Sequence, residues 1–205
     1  METLIIFLGV FVPVGWGIWR LVRHTRDTIG TNSPVKVKRN YHIDAWAYFL
    51  TFDNAFLCLV LIAGSFFLVA AFTIPMAPDT GYPFVGRLLL FSLSCIMIGL
   101  SLYVLLIDAN HWKYAEGVII ETFPEEHELE LTFGDSRLRL KEGDITRVLI
   151  TSNEGAKMPI TYTTYYLANG DYFILPYKMP GAWVIQEYFK KIPTEFKRKR
   201  FPFIP

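Results

Sequence analysis

Three stretches of the chain, Thr3 to Trp19, Ala55 to Met76 and Leu88 to Ile107, contain no charged residue. A helix rises about 1.5 Å per residue and needs roughly 17–25 apolar residues to cross a ~30 Å hydrocarbon core. Each run meets that length, the first only just. A helix of a soluble domain would carry polar residues on at least one face over such a distance. The 52% hydrophobic content and mean hydropathy of +0.31 therefore describe two unlike halves, divided near Asn110. Spans are predicted at about residues 3–22, 54–76 and 87–108 within a transmembrane domain 1–110, with a basic loop over 23–53.

The first run has no basic segment ahead of it and no small-residue cleavage site, so it reads as a retained anchor rather than a signal peptide. The first loop holds Arg20, Arg23, Arg26, Lys36, Lys38 and Arg39, whereas the second holds only Arg87, beside Asp79. Basic loops stay in the cytoplasm. The expected protein is thus a multi-pass protein of the plasma (inner) membrane, with its N-terminus outside and everything after Asp108 inside. Trp46, Tyr48, Phe49 and Phe52 precede the second span as an aromatic collar for the cytoplasmic interface. Asp53 and Asn54 at the start of that span, and Asp108 and His111 at the end of the third, form a candidate polar layer at the cytoplasmic membrane edge. Such a layer suits a small cation or proton, or simply marks where the spans stop. No charge interrupts the middle of a span, which gives a one-subunit transport path little support. Cys58 and Cys95 sit inside apolar runs, where cysteine acts as a small hydrophobe.

From Glu116 the period changes. Gly117 to Phe123, Glu128 to Phe133, Arg137 to Leu140, Ile145 to Thr151, Ile160 to Ala168 and Tyr172 to Leu175 read as six strands, rich in β-branched and aromatic residues. Leu129, Leu131 and Phe133 alternate with Glu128, Glu130 and Thr132, implying one buried and one wet face. Gly134-Asp135 and Asn169-Gly170 are hairpin turns, because these residues accept positive φ. The strands should then be antiparallel. Ala182 to Ile192 places Val184, Ile185, Tyr188 and Ile192 at helical spacing.

A run of antiparallel strands closed by one amphipathic helix resembles the pleckstrin-homology-like (PH-like) domains of bacterial membrane proteins. The resemblance covers roughly Glu116 to Ile192, with its nearest points in Ile145 to Ile150, in the hairpin Tyr165 to Pro176 and in the helix bearing Trp183. It implies a strongly bent antiparallel β-barrel or sandwich over 111–192, plugged by one C-terminal helix, that binds proteins or lipids. The family's usual seventh strand would lie in Trp112 to Ala115 or Ser152 to Pro159. The first hairpin reads Glu121-Thr-Phe-Pro-Glu-Glu-His-Glu128, and its acidity argues against a phosphoinositide site. Glu125, Glu126, Glu128 and Glu130 form the wet face of a strand or, on a sharper reading, a partner-binding face.

Residues 193–205 form a basic and aromatic tail. Its Lys197, Arg198, Lys199, Arg200, Phe201 and Phe203 suit an anionic membrane surface, and equally a solvated tail. The near-neutral net charge of +1 argues against nucleic acid as partner. No nucleophile elbow, phosphate-cradling loop or metal-ligand spacing occurs, and His24, His42, His111 and His127 are scattered. The expected function is non-catalytic, without cofactor or metal: a membrane scaffold or accessory subunit that contacts lipids and whose cytoplasmic domain docks a protein partner, another membrane protein among the candidates. A subunit of a homo-oligomeric pore or transporter, and a small membrane effector or immunity protein, are the competing classes.

Overall fold

The computed structural model describes residues 11–12, 14–19, 22, 25, 32–74, 83–153 and 160–205. Strand β1 (Asn40–Tyr41) and the short helix α1 (Ala45–Phe49) come first. Two long helices follow, α2 (Phe52–Thr73) and α3 (Pro83–Trp112). Then come β2 (Val118–Phe123), β3 (Glu128–Phe133), β4 (Ser136–Leu140), β5 (Ile145–Ser152), β6 (Thr161–Leu167) and β7 (Tyr172–Pro176). Helix α4 (Val184–Tyr188) and strand β8 (Thr194–Arg198) close the chain.

Local chemistry sets the start of each early helix. The Asp44 carboxylate accepts from the Ala47 amide at 2.7 Å and starts α1. Seven residues on, the Thr51 hydroxyl accepts from the Asn54 amide at 3.3 Å and starts α2. Helices α2 and α3 run antiparallel. Where Gly64 lacks a side chain, Met97 and Ile98 approach to 3.0–3.1 Å of the position a Cβ would occupy. Further along, the rings of Phe72 and Phe91 meet at 6.0 Å. Both helices are long and apolar enough to cross a membrane. Phe56, Leu59, Ile62, Phe66 and Val69 of α2 point outward, an arrangement that water disfavours and hydrocarbon accepts.

Two four-stranded sheets, in the orders β1-β2-β3-β4 and β7-β6-β5-β8, face each other. Between them lie Ile120, Leu129, Leu131 and Leu140 from the first and Val148, Tyr165 and Leu175 from the second, with Val184 and Ile185 of α4 closing one end. Tyr48 of α1 is buried in the same core, and Trp112 at the end of α3 packs against it. Asn40 pairs with Glu121 and Tyr41 with Ile120, so both ends of the α2–α3 hairpin leave the sandwich side by side.

Several expectations change. Two helices of membrane-spanning length are present among the described residues, not three. Most of the first predicted span lies outside those residues; 11–12, 14–19, 22 and 25 are helical. Arg20, Arg23, Arg26 and His24 also lie outside them. The stretch 23–53, expected as a loop, contributes β1 and α1 to the sandwich, so the hairpin is inserted within the β fold rather than preceding it at Asn110. The extra strands are β1 and β8; Trp112 to Ala115 ends a helix and turns, and 154–159 lie outside the described residues. The sheets are not wholly antiparallel, because β8 joins β5 in parallel. The closing helix is a short Val184–Tyr188, and the supposed tail begins as that strand. A two-residue strand such as β1 has no period to read, and β8 is exposed along its whole length, so it lacks the alternation that reveals a half-buried strand.

Candidate functional site

Between β7 and α4 the chain reads Pro176-Tyr-Lys-Met-Pro-Gly181. Met179 is buried in the core and anchors this loop. Gly181 has φ +79, and a Cβ there would stand 2.5 Å from Cγ of Tyr41. Only glycine suits both the backbone and the space. The loop is thereby pressed against β1, and Lys178 reaches the hairpin. Its ammonium pairs with the Asp108 carboxylate of α3 and donates to Oδ1 of Asn54 on α2 at 3.3 Å. It also lies 5.4 Å from the centre of the Tyr48 ring. The Tyr48 hydroxyl donates to the Asp108 carbonyl at 3.4 Å. Burial raises the pKa of this phenol, and the Asp108 charge adds to the effect.

Asp108 is 3% exposed, and its charge is satisfied by a single cation from the opposite part of the molecule. The arrangement ties three elements together: both helices of the hairpin and the loop after β7. Lys178 itself fills the place a small cation would take. Of the four residues expected at the membrane edge, Asn54 and Asp108 meet here. Asp53 lies on the exposed surface of α2. His111 turns to another partner, donating from Nε2 to the Pro202 carbonyl at 2.8 Å and setting its ring against Tyr162 at 5.7 Å.

That partner belongs to a strap formed by residues 199–205 along α3. The Tyr103 hydroxyl donates to the Arg200 carbonyl at 2.8 Å, and its ring meets Phe201 at 5.5 Å. Asn110 exchanges two hydrogen bonds with Ile204, at 2.8 and 3.1 Å, and Tyr114 donates to the Pro205 carbonyl. Lys199 turns back to donate to the Phe203 carbonyl at 2.8 Å. Lys197, Arg198, Arg200, Phe201 and Phe203 are exposed. The expected segment is thus brought together, but as a bound strap, with Lys199 holding its shape.

The acidic patch is answered by the neighbouring strand. Glu128 pairs with Arg139 and, at 3.0 Å, with Lys141; Glu126 pairs with Arg139, and Glu130 with Arg137 at 3.6 Å. At the end of the second sheet away from Lys178, the Arg147 guanidinium lies 4.2 Å over the Tyr166 ring, and Tyr166 meets Tyr172 at 6.1 Å. Tyr172 is 61% exposed. Sequence reasoning missed Lys178 and this aromatic cluster. The available signal for Lys178 was an isolated cation in a glycine- and proline-bounded loop opposite a carboxylate that an apolar span must neutralise.

A family model described as a PH domain matches residues 40–178, from β1 through the inserted hairpin to Lys178 itself. No curated protein matches the chain, and no solved structure does.

Proposed function

Because the chain belongs to the PH domain family, whose members are generally non-catalytic modules that bind proteins or lipids, we propose that it is a membrane scaffold or accessory subunit that docks a protein partner. The observation that carries this reading is the insertion of an apolar helical hairpin inside the PH fold, locked by Lys178 to both of its helices. A module built this way cannot swing freely from its anchor, so a partner bound to the sandwich is held at a fixed position over the membrane.

Orientation follows from charge. Lys36, Lys38 and Arg39 flank β1 on the sandwich side, while residues 74–82 between the two helices contain no lysine or arginine. This favours a sandwich in the cytoplasm at the inner membrane, with the run Thr3 to Trp19 adding a crossing that leaves the N-terminus outside. The docking surface we favour is the cluster of Arg147, Tyr166 and Tyr172. Arginine and tyrosine are the side chains that dominate interface energetics. Tyr166 lies four residues along β6 from Tyr162, roughly 13 Å from the row that touches the helices, which leaves a partner room.

The full chain, purified from its native membrane with bound proteins, tests this. A partner at fixed stoichiometry is expected to be lost when Arg147→Glu and Tyr172→Ala are combined, with the variant still in the membrane fraction. A partner that ignores the double variant, or a chain that carries none, rejects the docking surface. In a background of Cys58→Ser and Cys95→Ser, a cysteine at Asp79 should react with an impermeant reagent from outside and one at Gly170 should not.

A further inference from the structure

Residues 197–203 lie outside the part of the chain that matches the family model; Lys197 and Arg198 end β8 against β5, and α3 places the residues that follow. The register of the hairpin fixes where a membrane would end. Gly64 sits opposite Met97 and Ile98, and Phe72 opposite Phe91, so Asn54 and Asp108 share one level, as their common partner Lys178 requires. From Ala55 to Thr73 the apolar part of α2 measures about 28 Å, against ~30 Å for a hydrocarbon core. The polar boundary therefore falls at Asn54 and Asp108. Tyr103 stands five residues before Asp108, about 7 Å nearer the midplane. By bonding the Arg200 carbonyl and packing on Phe201, it draws that end of the strap to the depth at which interfacial segments bury their apolar side chains, while Pro202 and Ile204, bonded to His111 and Asn110, stay at the polar edge.

Exposure agrees with that depth. Phe201 is 51% exposed although its neighbours Pro202 and Ile204 are buried. Trp46, Leu50 and Phe52, just ahead of Asn54 in the chain, are exposed as well. Glu195, two residues before Lys197, pairs with Arg147 at 3.7 Å. Lys199 is taken up by the Phe203 carbonyl, while Lys197, Arg198 and Arg200 are exposed.

We propose that this strap, with the end of β8 that leads into it, is an anionic-phospholipid site, in which Lys197, Arg198 and Arg200 bind headgroup phosphates while Phe201 enters the acyl boundary and Phe203 lies at its edge. It rests on the reading that α2 and α3 span a bilayer. Lys199 and Tyr103 are positioning residues: they shape the strap and set its depth. Attraction to an anionic surface acts over about a Debye length, ~8 Å at physiological salt, a range that only a segment fixed this close can use.

The test places a nitroxide at Phe203→Cys or, separately, at Phe66→Cys, in the full chain lacking Cys58 and Cys95. Each is reconstituted into vesicles of phosphatidylcholine alone or mixed with phosphatidylglycerol. Collision with oxygen measures contact with lipid, and collision with a water-soluble nickel chelate measures contact with water. The label at 66 is expected in lipid in both vesicles. The label at 203 is expected to shift towards lipid in the anionic vesicles, the docked population rising on the order of tenfold and falling again at high salt. Lys197→Gln, Arg198→Gln and Arg200→Gln together should abolish that shift and leave position 66 unchanged. A label at 203 that stays in water in both vesicles, with 66 in lipid, overturns the lipid site alone. A shift that survives the triple substitution overturns it as well. A label at 66 in water overturns the spanning reading and the lipid site with it.

Discussion

The outer face of the first sheet and the seam between hairpin and sandwich both carry ion pairs, yet they are built on opposite plans. On the sheet, Glu126, Glu128 and Glu130 share Arg137, Arg139 and Lys141 across two strands, and every cation is substantially exposed. Losing one leaves a neighbour to replace it, even at Glu128, whose side chain is only 11% exposed but meets both Arg139 and Lys141. At the seam one ammonium serves a carboxylate that is 4% exposed, with Tyr48 and the Asn54 amide packed around it. Among the described residues no second cation pairs with that carboxylate. Charge that looks alike in sequence is thus a shared lattice in one place and a single fastening in the other.

Alkaline titration should separate the two regions most completely. Burial raises the pKa of Tyr48 at the seam and of Tyr165 and Tyr188 in the sandwich above the ordinary 10.0. A phenol whose folded pKa is raised binds its proton more tightly when folded, so its contribution is intact below pH 10 and is lost as pH climbs through the folded value. The ion pairs on the outer face of the sheet include no phenol. The fold of the detergent-extracted protein, followed by near-ultraviolet circular dichroism, should be stable to about pH 10 and then collapse, with Tyr48→Phe moving the midpoint upward. A gradual loss starting near neutrality would mean that the buried phenols do not govern alkaline stability.

Gly181→Val is the next largest perturbation and attacks the seam through its backbone. The new Cβ would meet the Tyr41 ring at 2.5 Å with φ at +79, combining left-handed strain with overpacking. The expected cost is about 4 kcal/mol, read as a lowered thermal midpoint. Gly170→Val, at φ +92 but in open space, should cost less because only strain remains.

Lys178→Ala tests the fastening itself. It strands the Asp108 carboxylate away from water and should cost about 3 kcal/mol. Replacing both partners, as Asp108→Leu with Lys178→Met, removes the buried charge and should recover most of that loss. Equal instability of the single and double variants would show that the pair shapes the loop rather than neutralising a charge.

How much of this was legible beforehand depended on the range of the contacts. The six strands from Val118 to Pro176 announced themselves by period-two alternation and by turns such as Asn169-Gly170, where Asn169 bonds the Asp171 amide at 3.0 Å. Those are local signals. The apolar runs gave α2 and α3 for the same reason. β1 could not be read, because two residues hold no period and their partner Glu121 lies beyond the whole hairpin. At the site, Asn54 and Asp108 are legible from their position at the ends of spans, but Lys178 is separated from Asp108 by 70 residues, and its glycine- and proline-bounded loop marks an isolated cation without naming its partner. His111 was grouped with them by sequence position, whereas the strap, invisible before the fold, claims its ring.

The smallest effect belongs to the sheet, and it is the one that decides whether the contrast is one of kind or only of degree. Arg137 is the most exposed cation of the lattice, 76% at its side chain, and it meets Glu130 at 3.6 Å. An exposed pair gains little over its hydration, so Arg137→Ala should change stability by less than about 0.5 kcal/mol. A double-mutant cycle with Glu130→Ala isolates the pair from the strand propensities of the new residues. Cycles at ordinary and at high salt should agree within that margin, because there is little coupling for salt to screen. A coupling comparable to that lost with Lys178 would mean that the lattice also acts as a fastening, and that the sheet's charges are no more replaceable than those of the seam.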